Sequence, residues 1–380
     1  FFAGLLRETG ATVIEAHNGR EALELARRKR PHFVVSDILM PKIDGFALCR
    51  ELKRDVQLSH VPVILLSWKE DFLQRMRELD AGASGYLRKE AGSRQILRSV
   101  MDALAPRLRL GSQLRSEGEV RGRVEGLGIV PLLETVAKTR PSAHIELRDA
   151  FHLFEIDLRA GQRLTVTRTA ADGSFSRGED ALRQLLGVVA GRFSIRTDDS
   201  PVRATLPDPL DVAVEHAGKR LGALLDAVSD TRLLQIARID LHDEAATGLL
   251  DHTPTPLAEI VACLRGDDDT PPVTPRELLL RGRFAPAELE EGLRELARRG
   301  AIVSVRTAMG DDLVAAALRE REQRPSTLLH SSHPPPRMSF APGVHAGDLQ
   351  TASDAESDEI ALPKLALPEV TSDASPPAPL

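Results

Sequence analysis

Val34-Val35-Ser36-Asp37-Ile38-Leu39-Met40-Pro41-Lys42-Ile43-Asp44-Gly45 decides how the chain is read. An apolar, β-branched run delivers one carboxylate, Asp37, and Met-Pro follows before a turn closed by Asp-Gly. Open α/β sheets form their sites where strands end, so an acid at that end has two readings. Asp37 accepts a phosphoryl group, or it is a capping or turn acid after a strand.

The sequence on either side decides between them. Ala11–Ala16 is short and β-branched and is expected as a strand, Glu21–Arg28 as an amphipathic helix, and His32–Ser36 as the strand that delivers Asp37. Gly45–Arg54 is expected as a helix, Val61–Ser67 as a buried strand, Phe72–Asp80 as a helix, Ser84–Lys89 as a last strand and Ser93–Leu104 as a closing helix. Alternating strands and helices imply a doubly wound parallel sheet. Its successive strands end in Asp37, Ser67 and Lys89. A nucleophile, a hydroxyl donor and a cation on one rim form a coherent phosphoryl site, and this favours the acceptor reading.

These motifs resemble a response regulator receiver domain of bacterial two-component systems, over residues ~11–105. Asp37-Ile38-Leu39-Met40-Pro41 with Gly45 matches the phosphoacceptor loop, Ser67 the switch hydroxyl, Tyr86 the switch aromatic and Lys89 the phosphate contact. The resemblance implies a flavodoxin-like fold and phosphoryl transfer to Asp37 from a histidine kinase or phosphotransfer protein. It implies Mg²⁺ as cofactor, held by Asp37 and the backbone carbonyl of Leu39. It also implies inward movement of Ser67 and Tyr86, and allows a homodimer through the receiver. The family's first strand and the acidic pair that completes its metal site would lie upstream of Phe1, so the chain is expected to be truncated at its N-terminus. Glu90 stands where the family carries proline. A cis X-Glu bond costs ~2.5–4 kcal/mol, so the Lys89–Glu90 bond is expected to be trans.

Composition bounds the rest. For 380 residues about two or three domains are expected. A net charge of −6 gives no polycationic signal. Cys49 and Cys263 are far apart, without metal-ligand spacing, which fits a reducing cytoplasm. No apolar run approaches the ~20 residues of a membrane span. Trp68 is read as shaping the mouth of the site or as packing, and Arg27–Arg30 as a solvated helix end.

Residues 1–106 are thus assigned to the receiver and 107–117 to a linker. Residues 118–200 alternate strand and helix patterns, with Gly122, Leu127, Leu132-Leu133, Phe154–Leu158, Gly161, Ala181-Leu182 and Gly191-Arg192-Phe193 at fixed places. They resemble the PATAN (DUF4388) domain, which implies a non-catalytic α+β interaction module. His144 and His152 are read as satisfied or exposed histidines, because no third ligand stands at metal spacing.

Residues 210–309 read as helices over Val212–Val228, Thr231–Ile236, Leu257–Leu264, Pro275–Leu280 and Pro286–Arg299, then a strand after Gly300. That is a winged-helix-like unit, yet Glu288, Glu290, Glu291 and Glu295 would repel phosphates, so nucleic acid is not the expected partner. Residues 310–380 are expected to be a mostly disordered Pro/Ser/acid-rich tail after a short helix ending near Gln323, with Ile360, Leu362, Leu365 and Leu367 as a docking motif. The leading expectation is a cytoplasmic phosphorelay response regulator, not an enzyme, acting through contacts with an unknown output protein. The alternatives are a DNA-binding regulator through residues 210–309, a phosphotransferase with Asp37 as nucleophile, and a non-phosphorylated pseudo-receiver.

Overall fold

A computed structural model of the chain describes residues 2–68, 82–116, 118–170, 173–200, 206–242, 255–266 and 271–323. The expected helix over Phe72–Asp80 and the tail beyond residue 323 lie outside these. The chain divides into two compact units, and among the described residues the first holds residues 2–15 and the second 16–323. In the first, α1 is Phe2–Glu8. Residues 11–16 carry no strand, contrary to expectation. A strand exists only through ladder bonds to a neighbour, and none of the described ladders includes this stretch.

The second unit begins with α2 (Gly19–Lys29), capped by the Asn18 side chain, which accepts from the amide of Glu21 at 3.1 Å. β1 (Val34–Asp37), α3 (Gly45–Arg54), β2 (Val63–Ser67) and β3 (Gly85–Arg88) follow. The three strands form a parallel sheet in the order β1-β2-β3, and every residue of the middle strand is buried. That is why Val63–Ser67 reads as a continuous apolar run rather than an alternation. Leu23 and Ala26 of α2 and Leu48, Cys49 and Leu52 of α3 close the core around it.

α4 (Ser93–Leu114) makes most of the segment read as a linker helical. It continues unbroken through Pro106 and through residues 107–114. Ile96, Val100 and Leu104 are buried in its first half, while Leu110 and Leu114 enter the core of the next module. Proline inside a helix removes one intrahelical bond, and this second burial offsets the loss. At ~1.5 Å per residue the helix is about 33 Å long, so one rigid rod serves both modules.

The second module is a six-stranded antiparallel sheet of β4 (Val120–Arg123), β5 (Ala143–Arg148), β6 (His152–Arg159), β7 (Arg163–Ala170), β8 (Phe175–Arg177) and β9 (Arg192–Thr197). Their order is β4-β9-β5-β6-β7-β8. α5 (Ile129–Thr139) and α6 (Glu179–Leu186) supply Leu132, Leu133, Leu182 and Leu185 to a core shared with Ile145, Phe154 and Ile156. Apart from β8, which the sequence pattern does not mark, these elements fall close to the stretches it does. α7 (Leu210–Ala227) joins this core through Leu210–Ala217 and the following one from Leu221 onward.

Next come a 3₁₀ turn (Asp230–Gln235), β10 (Ile236–Leu241), α8 (Thr255–Arg265), α9 (Pro275–Leu280), α10 (Pro286–Arg298), β11 (Ile302–Thr307) and α11 (Leu313–Gln323). β10 is a correction: the expected helix over Thr231–Ile236 is a 3₁₀ turn that runs into a strand paired antiparallel with β11. Only Ile236 and Ile239 are buried in it, a spacing of three that imitates a helix. No helix among the described residues is long and apolar enough to cross a membrane.

The later modules hold the receiver-like region at the amino ends of its strands. Arg30 pairs with Glu215 of α7 at 3.2 Å, and the Gln57 amide donates to the Glu215 carbonyl at 3.2 Å. Arg107 pairs with Glu134 at 3.1 Å. His60 lies against Gly128, where a β-carbon would come within 2.5 Å of it. Burial first, then the charges of Arg107, Lys53 and Arg30, lower its pKa from 6.5 to about 3. The unfolded chain therefore takes up this proton near pH 6.5 and the folded chain only near 3. Stability contributed by neutral His60 is present above pH ~6.5 and is lost as pH falls toward 3, at up to about 1.4 kcal/mol per pH unit. His60→Gln should flatten that part of the urea-midpoint profile. An unchanged profile between neutral and acid pH would show that His60 does not set it.

Candidate phosphoryl site

The ladder register fixes where the strand ends lie. Asp37 pairs with Leu66, and Ser67 pairs with Arg88, so Asp37, Ser67 and Lys89 meet at the carboxyl edge of three adjacent strands. The Lys89 ammonium donates to Asp37 Oδ2 at 2.5 Å. The Lys89 amide donates to the Ser67 carbonyl at 2.8 Å, which extends the ladder by one bond and aims the lysine across the edge. There is no cis peptide among the described residues, so the Lys89–Glu90 bond is trans, and Lys89 reaches Asp37 from that geometry.

The loop after β1 is closed by its own backbone. The amide of Gly45 donates to the carbonyl of Ile38 at 2.8 Å. Asp44 caps α3 by accepting from the amide of Ala47 at 2.7 Å. Ser36 Oγ donates to the Asp37 carbonyl at 2.9 Å. Lys42 takes a left-handed conformation, φ 69°, to make the return. The Asp37 side chain is thus left 39% exposed at the rim, with its own backbone tied down.

Ser67 is buried between the two charged strand ends. Tyr86 is half-buried, pairs in register with Leu65 and packs against the receiver core. The Leu39 side chain is 80% exposed. Trp68 is exposed, and its ring centroid lies 5.3 Å from the Lys89 ammonium. It therefore lines the site's mouth, one of its two readings, and shields the cation on one side.

Asp37 belongs to no cluster of three potential metal-ligating side chains among the described residues. Its carboxylate and the Leu39 carbonyl are hard oxygen donors, and that set suits Mg²⁺, which binds through one or two carboxylates with water and phosphate completing the shell. One carboxylate oxygen is engaged by Lys89, and the other is available for such a contact.

Residues 1–101 match the family model for the response regulator receiver domain. Protein PilH of Pseudomonas aeruginosa is 33% identical over 101 residues, covering 27% of this chain and 84% of that protein. Histidine kinase P4 of Formosa agariphila is 34% identical over 98 residues, covering 26% of this chain and 7% of the kinase. The chain thus spans only a small part of some curated relatives. Among solved structures, the receiver domain of a sensor histidine kinase of Pseudomonas aeruginosa PAO1, with a magnesium ion coordinated in its active-site cleft, is 29% identical. That match covers 27% of this chain and 83% of the other, with a TM-score of 0.26.

Proposed function

The chain belongs, through residues 1–101, to the response regulator receiver family, and we propose that it accepts a phosphoryl group on Asp37 from a phosphohistidine donor and relays the change to its later modules. The observation that carries this reading is the Lys89 ammonium seated on the Asp37 carboxylate, with Ser67 on the strand end between them.

A carboxylate oxygen of Asp37 attacks phosphorus in line, and the P–N bond to the donor imidazole breaks. Its electron pair leaves on the ring nitrogen, and an acyl phosphate forms on Asp37. Lys89, already in contact with the acid, passes to the new phosphoryl oxygens, where charge develops. Ser67, on the neighbouring strand end, would be the hydroxyl donor to the same group, and its inward movement would open the space that Tyr86 fills. Asp37 and the Leu39 carbonyl would hold a Mg²⁺ ion, which would supply neutralising charge to the phosphoryl oxygens. In this reading the chain is its donor's substrate and not a turnover catalyst.

The output reading is a protein contact. Residues 118–200 have the α+β composition of a PATAN-like module. In α10, Arg298 is bound to Glu291 at 2.9 Å, and Arg299 to Glu295 at 2.7 Å. Arg294 is buried beside Glu290. With its cations engaged internally, this helix offers phosphates little net attraction.

The test is incubation of the full chain with Mg²⁺ and a small phosphodonor such as acetyl phosphate. An acid-stable, base-labile adduct is expected in the wild type and none in Asp37→Asn. An adduct of equal yield in Asp37→Asn, or none in the wild type, would sink the acceptor assignment.

A further inference from the structure

The second module's sheet has an outer face that the phosphoryl chemistry does not use. Along β5, Ala143, Ile145 and Leu147 point into the core, so His144 and Glu146 lie on the opposite face. His144 stands directly across from Asp157 on β6. Asp198 follows Thr197, which is the β9 partner of Ala143. Three separate stretches of chain therefore converge on one imidazole. The ligand atoms of His144, Asp157 and Asp198 all lie within 4.8 Å of one another.

We propose that His144, Asp157 and Asp198 bind a divalent transition-metal ion of the zinc type. His144 Nδ1 and Asp157 Oδ1 are hydrogen-bonded at 2.9 Å, so the two groups already face one another, and an ion would take the place of the proton they share. Asp198 Oδ1 is held by the Ser200 amide at 2.9 Å, and its other oxygen, Oδ2, faces the cluster.

The second observation is the far nitrogen of the same ring. His144 is only 8% exposed, and its Nε2 is buried without a hydrogen-bond partner. Glu146 Oε1 lies 3.9 Å from that atom. With the ion on Nδ1, Nε2 carries the ring proton, and Glu146 is the carboxylate that turns to accept it. A ligating histidine ordinarily donates its other N–H to such a carboxylate, which fixes ring orientation and tautomer.

Charge and donor type agree with a transition metal. Among the described residues, Glu146, Asp157 and Asp198 pair with two arginines. Arg196 lies 4.0 Å from Glu146. The Nη2 of Arg159 lies 3.7 Å from Asp157 and 3.9 Å from Asp198, beyond hydrogen-bond reach of either. Arg159 donates through Nε to the carbonyl of Ser200 at 2.9 Å and through Nη1 to those of Ala143 at 3.3 Å and Leu158 at 2.8 Å, while its Nη2, buried without a hydrogen-bond partner, faces the two aspartates and turns aside when an ion enters. One net negative charge remains at the cluster with His144 neutral. An imidazole nitrogen among carboxylates selects zinc or cobalt over magnesium, which takes oxygen and water. Both aspartates keep an exposed edge, so an ion enters from solvent and retains water in its open position.

The test is titration of the EDTA-treated full chain with Zn²⁺ by calorimetry, in excess Mg²⁺ so that hard-cation sites are filled. Co²⁺ absorption reports the ligand field in a parallel titration. We expect one Zn²⁺ per chain, bound about tenfold or more weakly by His144→Gln and by Asp198→Asn. Asp198 lies beyond the last strand residue, so its variant keeps the fold, as circular dichroism would verify. Failure of the wild type to take up Zn²⁺, or equal uptake by both variants, overturns the site. The result is independent of whether Asp37 is phosphorylated.

Discussion

Arg140→Met should lower the stability of the second module by about 3–5 kcal/mol, the cost of leaving buried carbonyls without a charged donor. Arg140 is 7% exposed. Its Nε donates to the carbonyl of Leu114 at 2.9 Å, its Nη1 to that of Gly118 at 2.8 Å, and its Nη2 to that of Ser116. Those carbonyls belong to the end of α4 and the chain leading into β4. A helix leaves its last carbonyls unbonded, and its dipole makes that end attractive to a cation. Arg140 thus fastens the rod shared with the receiver to the sheet that follows. Methionine fills the volume but donates nothing. Urea denaturation of the full chain, with Arg140→Lys as the variant that keeps the charge, measures the effect. A loss under about 1 kcal/mol, the scale of a single neutral hydrogen bond, would show that the three bonds do not act together.

Gly45→Ala should slow formation of the Asp37 adduct by about a hundredfold, while far-UV circular dichroism stays unchanged. A β-carbon at Gly45 would lie 2.2 Å from the carbonyl oxygen of Asp37 and 3.0 Å from the Cα of Ile38. Both are backbone atoms, so relief requires the end of β1 to move. That displaces the carboxylate from Lys89, and a misplacement of about 1 Å at a reacting group costs on the order of 10² in rate. Gly92→Ala is the control, because a β-carbon there meets nothing within 4 Å. Equal rates for the two variants would show that the closed loop does not position Asp37.

Asp37, Ser67 and Lys89 were legible because parallel strands reveal themselves locally. Each is a short run, fully buried only in β2, and each ends on a chemically distinct residue. The antiparallel strands other than β8, and the two helices of the second module, were legible for a similar reason, since alternation survives in Phe154–Leu158 whatever its partner is. Pro106 and the polar residues after it concealed α4, where Leu110 and Leu114 are buried by a core whose other members come from residues 120–217. β10 was hidden because its partner β11 lies some sixty residues on, and its own spacing points to a helix. His144 is hydrogen-bonded to Asp157, as a satisfied histidine is, and its nearness to Asp198 was not legible because that residue arrives after β9, far along the chain.

What the sequence by itself determined is the three strands that end at Asp37, Ser67 and Lys89 and the helices on either side of the first, though not the strand expected over Ala11–Ala16. Hydrophobic periodicity and strand-end chemistry act over a few residues, so they are written in consecutive letters. Only the tertiary structure decided that Lys89 reaches Asp37 across a trans bond. It alone joined the receiver to the next module by a continuous helix, and fastened the two at the edge opposite Asp37. Those outcomes depend on which distant surfaces bury one another and which orphaned carbonyls and charges find partners, and a linear pattern does not encode either.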